Sequence, residues 1–319
     1  MGVTGMAGAA NPQGTADELA TLRPLLGEIN DLKRIRAAGR AGSLADQGFA
    51  RSWADLIRGT AAAVVARREV AGAVASARLG GIDAAILDAA GLQRAEIAAI
   101  YRAAIGELAG PLGSGWLATL EPAIGELADP ATFEPRGGDL PEFVARLQAQ
   151  PRAGATRPGY ARLVLEPPEN HAEHCYVTAV YAGLLAPRFG ADPGVAFLAG
   201  LAHHFHNAYL PDSGFAGEEL LGPHLLPIMD RFTERAIAQL PATLVGSVRS
   251  ARSVLPDAAT PAGRAFHAGD VIDRVLQMEQ YARVAGFETR QALEDLDLVH
   301  PGPVQAFHHE ILTAAGLWS

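Results

Sequence analysis

The chain has 319 residues, of which 49% are hydrophobic and 19% are charged, and its formal net charge is -9. The apolar fraction is large enough for a substantial buried core, which excludes an intrinsically disordered protein. The negative net charge excludes a general binder of nucleic acids or of anionic membranes, since both kinds of binding depend on a basic surface.

What the sequence lacks indicates where the protein works. Cys175 is the only cysteine, which excludes an intramolecular disulfide and suits a reducing compartment. Residues 1–14 lack the charged and apolar regions of a signal peptide, and no run of about 18 apolar residues without charges predicts a membrane-spanning helix. We therefore expect a cytoplasmic protein.

The first part of the chain, 1–150, has the pattern of consecutive helices. Thr15–Glu18 and Ser43–Asp46 have the spacing of capping boxes, and Gly80 ends a third helix. Lys33 is the only lysine, and we attribute the dominance of arginine to codon bias. No titratable cluster, phosphate-binding loop or repeat is apparent, so we interpret this part as a scaffold or dimerisation region. The expected helices are 15–40, 43–57, one that ends at 80, 82–90, 93–109, 114–127 and 140–149.

A stretch rich in proline, glycine and arginine, 151–168, follows as a linker. Beyond it, Asn170 with Glu173 forms a further capping box, and Asp192 followed by Pro193 predicts another helix start. The sequence thus predicts an all-α protein with an N-terminal helical region (1–150), the linker and a second helical domain (169–319). The expected helices of that domain are 171–188, 193–207, 223–239, 241–256, 260–286 and 303–316.

All ten histidines lie in the second half of the chain, and the first of them is residue 171. Three of the expected helices carry histidine or aspartate at a spacing of three residues, which places the two side chains on one helix face. Imidazole and carboxylate groups are the ligands that a borderline divalent ion prefers, and helices of a bundle commonly supply them. The pairs are His171 with His174, His203 with His206, and His267 with Asp270.

His203 and His204 are the strongest candidates for metal ligands. They follow the apolar run 197–202, and two imidazoles at the end of a buried helix need a partner to offset their desolvation. Isolated histidines are more typical of core or capping positions, and we interpret His224, His300, His308 and His309 in that way. The residues of the three pairs, together with His204, are therefore the candidate ligands of a divalent ion.

These segments resemble the HD-domain superfamily of metal-dependent phosphohydrolases. Its pattern is a histidine on one helix, a His-Asp pair that ends the next helix, and a distal aspartate. His174 precedes His203 by 29 positions, as is typical of that family, and Asp270 matches the distal aspartate. The segment 168–174 (PENHAEH) is similar to the Pro-Glu-x-x-x-Glu-His motif of the nucleotidase-like branch. The resemblance covers about 166–285 and implies an HD-domain-like helical bundle.

Two positions depart from the pattern of that family. His204 stands where the family has an aspartate that can bridge two ions, so the resemblance implies a single ion here. The predicted site thus holds one divalent ion (Mn, Fe, Co, Ni or Zn), and its predicted ligands are His174, His203, His204 and Asp270. Asn207 stands where the nucleotidase-like branch has a glutamate acid/base, and asparagine cannot exchange a proton. Asp212 matches an aspartate of that branch. The candidates for the vacant proton-transfer role are His206, Asp212, Glu173 and Glu218.

Three functions are compatible with these residues. The leading hypothesis is a metal-dependent phosphohydrolase that acts on a small, nucleotide-like phosphate ester, in which Asp212 or His206 handles the proton and Arg274 pairs the phosphate. Arg157 or Arg162 of the linker could share that pairing. The alternative is a binding or regulatory protein that keeps the fold without catalysis, and the third is an HD-type iron oxygenase. The partner expected in the leading case is a small phosphorylated molecule, and the resemblance also allows a homodimer.

Overall fold

The computed structural model describes residues 12–108, 110, 114–133, 140–285 and 288–318, and in these residues the regular structure is helical. Only two isolated β-bridges occur there, and none of the described helices is both long enough and apolar enough to cross a lipid bilayer. The predicted all-α class is thus confirmed. The helices are α1 (Pro12–Asn30), α2 (Leu44–Ile57), α3 (Ala62–Leu79), α4 (Ala84–Ala89), α5 (Arg94–Leu108), α6 (Ser114–Leu127), α7 (Glu142–Ala149), α8 (His171–Leu185), α9 (Pro193–Ala202), α10 (Gly214–Leu221), α11 (Leu225–Ile237), α12 (Ala242–Arg252), α13 (Pro261–Ala285) and α14 (Gln305–Ala314).

The helix starts follow the predicted capping signals. Both hydrogen bonds of a capping box are present at Ser43–Asp46 before α2 and at Asn170–Glu173 before α8. The side chain of Asp192 accepts a hydrogen bond from the backbone of Val195 at the start of α9. The side chains of Thr15–Glu18 and the N-terminal residues 1–11 lie outside the described residues.

Helix α1 ends earlier than the sequence predicts. It stops at Asn30 instead of Arg40, and one 3-10 turn, Asp31–Lys33, follows it. Gly39 and Gly42 then adopt φ values of 76° and 73°, a left-handed conformation that cannot continue an α-helix. The chain therefore turns before α2, and this turn directs the side chain of Lys33 into the interior, where it is buried.

Helix α9 also ends early, at Ala202 instead of residue 207. Two side chains take the carbonyl oxygens that a longer helix would use. The Nδ1 atom of His203 donates to the carbonyl of Gly200 at 2.6 Å, and the guanidinium group of Arg252 donates to the carbonyl of Ala202. A short 3-10 turn, Phe205–Ala208, follows. The other predicted helices of the second half begin and end within four residues of the expected positions, and α10 is an additional helix.

Helices α8, α9 and α13 pack directly on one another through glycines. A Cβ atom at Gly200 of α9 would lie 2.5 Å from the Cα atom of Ala179 on α8. A Cβ atom at Gly269 of α13 would lie 2.9 Å from the backbone nitrogen of Ala182, also on α8. Both distances are too short for any side chain, so these glycines allow the close approach. The start of α8, the end of α9 and the middle of α13 consequently meet in one place.

The N-terminal region shares its core with the second half. All of α8 is buried, and a single cluster of buried apolar side chains extends from Leu19 to Leu317. The predicted division into two domains at the linker stays a prediction. One expectation for the N-terminal region was wrong, because a buried titratable cluster does occur there. It consists of Arg51, Asp55, Arg68 and Glu69, with Tyr176 of α8 donating to Glu69.

Candidate metal centre

Three histidines bring their ring nitrogens together at the junction of α8, α9 and α13. His174 lies in the first turn of α8, His203 follows the last residue of α9, and His204 comes next. One ligand atom from each lies within 4.8 Å of the other two. The Nε2 atoms of His174 and His203 are 3.1 Å apart. These residues form a buried group that could hold a metal ion.

Each of the three rings is oriented by a hydrogen bond at its Nδ1 atom. His174 donates to Oδ2 of Asp273 at 2.6 Å, and His203 donates to the Gly200 carbonyl. The Nδ1 atom of His204 lies 2.7 Å from Oδ1 of Asn207. The Asn207 amide group donates to the carbonyl of residue 210, which identifies Oδ1 as the acceptor. All three Nε2 atoms are then without a proton, the state in which imidazole binds a metal.

Two of the three distances among these donor atoms suit one shared ion, and the third, between Asp270 and His203, is longer. Oδ1 of Asp270 lies 3.3 Å from Nε2 of His174 and 3.9 Å from Nε2 of His203. Donor atoms at about 2.1 Å from one ion, at angles near 90–110°, are separated by about 3.0–3.4 Å. Two unprotonated nitrogens that face each other at 3.1 Å repel each other unless a cation lies between them. Three of the four predicted ligands, His174, His203 and Asp270, therefore meet around one point.

The charges of these groups also favour a cation. Burial lowers the pKa of His174 to about 3 and holds the pKa values of His203 and His204 well below the ordinary value of histidine. Burial by itself favours the neutral form of Asp270, but the adjacent Arg274 guanidinium group is the largest opposing influence, and the pKa of Asp270 lies well below its ordinary value. At neutral pH the centre thus offers neutral imidazoles and an ionised carboxylate, which are the forms that bind a metal.

Lys33, the only lysine of the chain, lies directly behind His174. Its Nζ atom lies 2.5 Å from Oε1 of Glu169 and 2.6 Å from Oδ1 of Asp273. Asn30 donates to the same Oδ1 atom. Burial raises the pKa of Asp273, yet each of its contacts comes from a donor, which keeps it the acceptor for His174. Glu169, His174 and Asp273 also have the spacing of a metal site, but the Lys33 ammonium group already provides a cation there.

The centre opens into a cavity of about 250 Å³. His203, His204 and Asp270 line it, whereas His174 is fully buried behind them. Arg274 lines the cavity, with Nε 3.7 Å from Oδ2 of Asp270. A molecule in the cavity would therefore reach the three ligands that face it.

The proton-transfer candidates occupy different positions. Asp212 lines the cavity, accepts hydrogen bonds from the backbone of residues 153 and 214, and lies 3.4 Å from Nε2 of His171. Burial favours its neutral form, but these contacts outweigh burial and lower the pKa of Asp212.

His206 is buried and is not among the lining residues, and burial lowers its pKa to about 3. Glu218 lines the cavity, and burial raises its pKa. Glu173 is engaged in the α8 capping box.

Other predicted residues lie away from the cavity lining. Arg157 forms an ion pair with Asp297, and Arg162 donates to the backbone carbonyl of residue 213. His267 faces His308, with ring centroids 5.5 Å apart. Neither linker arginine lines the cavity, although both are close in sequence to the lining residues 154–156.

Sequence reasoning missed four residues that support the centre: Lys33, Asn30, Asp273 as a hydrogen-bond acceptor, and Arg152, which lines the cavity. Spacing within the second half cannot indicate Lys33 or Asn30, because they come from the N-terminal region. The signal for Lys33 was its uniqueness. Where every other basic residue is arginine, a single lysine marks a place that requires a compact ammonium group.

No protein family, no curated protein and no solved structure matches this chain. The resemblance to the HD-domain superfamily therefore stays a prediction, and the function has to be inferred from the geometry of the centre.

Proposed function

We propose that the protein is an HD-domain-type phosphohydrolase that uses one divalent ion to hydrolyse a small phosphate ester. The observation that carries the proposal is the convergence of the Nε2 atoms of His174 and His203 with the Asp270 carboxylate, next to His204 and beside a cavity that also contains an arginine. His174, His203, His204 and Asp270 would hold the ion. When bound, Mn, Fe, Co, Ni or Zn would supply Lewis acidity and an activated water.

The protein's own side chains would orient the substrate and transfer the proton. Arg274 would pair with a phosphate oxygen and orient the ester. As the oxygen of water bonds to phosphorus and the ester P–O bond breaks, Glu218 would give its proton to the leaving oxygen, and the resulting carboxylate would take up one proton of the attacking water. Glu218 suits this role better than Asp212 or His206, because its raised pKa keeps a proton available nearer to neutral pH. Asp212 would instead hold the cavity backbone in place.

The test is hydrolysis of a panel of phosphomonoesters by the purified full-length protein, with each of the five metals added in turn. We expect phosphate release that requires the metal and that disappears in His203→Ala. The exposed His224 provides the matched control, and His224→Ala should leave the rate unchanged. Phosphate release that is the same in His203→Ala and in the native protein would disprove the proposal.

A second candidate is an iron-dependent reaction with dioxygen. The observation that favours it is the close approach of two histidines and one carboxylate, the residue types that many non-haem Fe(II) oxygenases use. Oxygen consumption by the iron-loaded protein, without phosphate release from any ester, would select this candidate.

A further inference from the structure

Two arginines of the cavity carry buried N–H groups without an acceptor. The Nη1 atom of Arg152 and the Nε atom of Arg274 are both buried, and neither has a hydrogen-bond partner among the described residues. The Nε atom of Arg152 lies 3.7 Å from a carboxylate oxygen of Glu169, too far for a good hydrogen bond. Buried donors normally have an acceptor. Both guanidinium groups also line the cavity, where an anion would give their remaining N–H groups an acceptor.

The charge of the cavity depends on the metal. Its lining contains three carboxyl groups, those of Asp212, Glu218 and Asp270, and two guanidinium groups, those of Arg152 and Arg274. Without a metal the carboxylates outnumber the arginines, and an anion is disfavoured when all three are ionised. A divalent cation held beside Asp270 reverses the sign of the net charge. Anion binding should therefore follow metal binding.

Another part of the cavity wall is apolar and flat. The rings of Phe215 and His300 are stacked, with centroids 4.5 Å apart and planes inclined by 14°. Leu296 and Leu298 extend this surface. The cavity volume of about 250 Å³ is below the range of roughly 300–1,000 Å³ that holds drug-sized ligands. The space suits a phosphate group together with one small ring.

We infer that the substrate is a compact phosphomonoester that binds after the metal. Its phosphate group pairs with Arg152 and Arg274, and its organic part is a single planar ring that lies against Phe215 and His300. Two guanidinium groups with several N–H donors fit the three terminal oxygens of a phosphate monoester. The inference rests on the proposed function, which it deepens by naming the substrate class.

Phosphonates test binding without turnover, because they have a C–P bond in place of the P–O bond that is hydrolysed in an ester. We would titrate the full-length protein calorimetrically with phenylphosphonate and with methylphosphonate, in the presence and absence of Mn²⁺. We expect binding that requires Mn²⁺, and an affinity at least tenfold higher for phenylphosphonate. Arg152→Gln should weaken phenylphosphonate at least tenfold, and Arg152→Lys should lie in between. The control is Arg231→Gln, at an exposed position of α11, which should bind like the native protein.

Three results would overturn the inference: unchanged affinity in Arg152→Gln, equally tight binding without Mn²⁺, or benzoate binding as tightly as phenylphosphonate. If circular dichroism shows that Arg152→Gln is misfolded, the affinity of Arg152→Lys is used instead. Unchanged affinity in that variant would count against the pairing of Arg152 with the phosphate group. Metal-dependent phosphonate binding without hydrolysis of any ester would refute the proposed function and leave the anion site in place. Hydrolysis with unchanged binding in the Arg152 variants would refute the anion site alone.

Discussion

Asp273 of α13 joins the N-terminal region to His174, one of the proposed metal ligands. Asn30 and Lys33 donate to it from the N-terminal region, and His174 donates to it from α8. Because these donors fill its acceptor positions, the carboxylate holds the imidazole in the tautomer with a proton on Nδ1. Asn207 does the same for His204 with an amide oxygen. The side chain of Asn207 therefore has a structural use, although it cannot transfer a proton.

Replacing Asp273 by asparagine should weaken metal binding about 10- to 100-fold. The amide oxygen can accept from Lys33, and the amide nitrogen then faces His174 Nδ1 as a donor, which favours the tautomer with a proton on Nε2. Titration with Zn²⁺ or Mn²⁺ measures the dissociation constant. The control is Asp257→Asn, at an exposed position before α13. A dissociation constant within twofold of the native value would contradict the proposed role of the carboxylate.

Glu218 and Glu219 are adjacent, and only Glu218 lines the cavity, whereas Glu219 is exposed. If Glu218 is the acid of the proposed reaction, Glu218→Gln should lower kcat about 100-fold. The native rate should fall as the pH rises above the raised pKa of Glu218, and this alkaline decline should be absent from the residual activity of the variant. Glu219→Gln should retain both the rate and the pH profile. An unchanged alkaline decline in Glu218→Gln would assign the proton to another group.

At the scale of single residues, helix spacing predicted six candidate ligands, and the resemblance to the HD-domain pattern selected His174, His203 and Asp270 among them. The structure brings the side chains of these three residues close together. The acceptors behind the rings were not predictable in the same way. A backbone carbonyl such as that of Gly200 leaves no trace in the sequence, and spacing along α13 does not indicate that Asp273 accepts from His174.

At the scale of the helices, the close packing of α8 against α9 depends on the absence of a side chain at Gly200. A Cβ atom at Gly200 would overlap the backbone of Ala179, so Gly200→Ala has to push the two helices apart. We expect a loss of about 1–3 kcal/mol in the free energy of unfolding and weaker metal binding, because His203 moves with α9. Urea unfolding and metal titration measure the two effects.

Gly246 provides the matched control in the middle of α12. It is exposed, and an added Cβ atom there meets nothing within 4 Å. Gly246→Ala should therefore stabilise the protein by about 0.5–1 kcal/mol and leave metal affinity unchanged. Equal effects of the two substitutions would show that the contact at Gly200 does not set the geometry of the centre.

The predicted helix starts were more accurate than the predicted ends. The start of α8 or α9 depends on local capping by Asn170 or Asp192, and the residues that form such a cap are close in sequence. The end of α9 depends on Arg252, which reaches the carbonyl of Ala202 from a helix 50 residues away. Local sequence does not contain this information, so α9 was predicted to be too long.

For the whole molecule, the burial of so many histidines predicts sensitivity to acid. Burial lowers the pKa of His174, His206 and His308 to about 3 and that of His300 to about 4, from an ordinary value of 6.5. The unfolded chain takes up protons below about pH 6.5, whereas the folded protein resists them. The stability that these neutral side chains contribute is complete above pH 6.5 and is lost as the pH falls towards 4.

Urea unfolding of the metal-free protein at a series of pH values measures this loss, which should be on the order of 2 kcal/mol per buried histidine between pH 6.5 and 5. His308→Gln should reduce the dependence on pH, because His308 is buried and is not one of the predicted ligands. His224→Gln, at an exposed position, should leave it unchanged. A stability that stays constant from pH 7 to 5 would contradict the burial of neutral histidines.

The role of the N-terminal region could not be predicted from its own residues. Its lack of histidine suggested a separate scaffold, but a single core runs through both halves, and Lys33 reaches the second half from the turn after α1. Contacts between residues 240 positions apart depend on the tertiary fold, and no local pattern encodes them.

The burial of Lys33 has a practical consequence for chemical labelling. The chain contains no other lysine, so its only side-chain amine lies behind His174, about 1% exposed and enclosed by two carboxylates. Reagents that acylate amines should leave this side chain unmodified as long as the protein is folded. Acylation of Lys33, read by mass spectrometry, would then report the moment at which the interior opens, without any engineered probe.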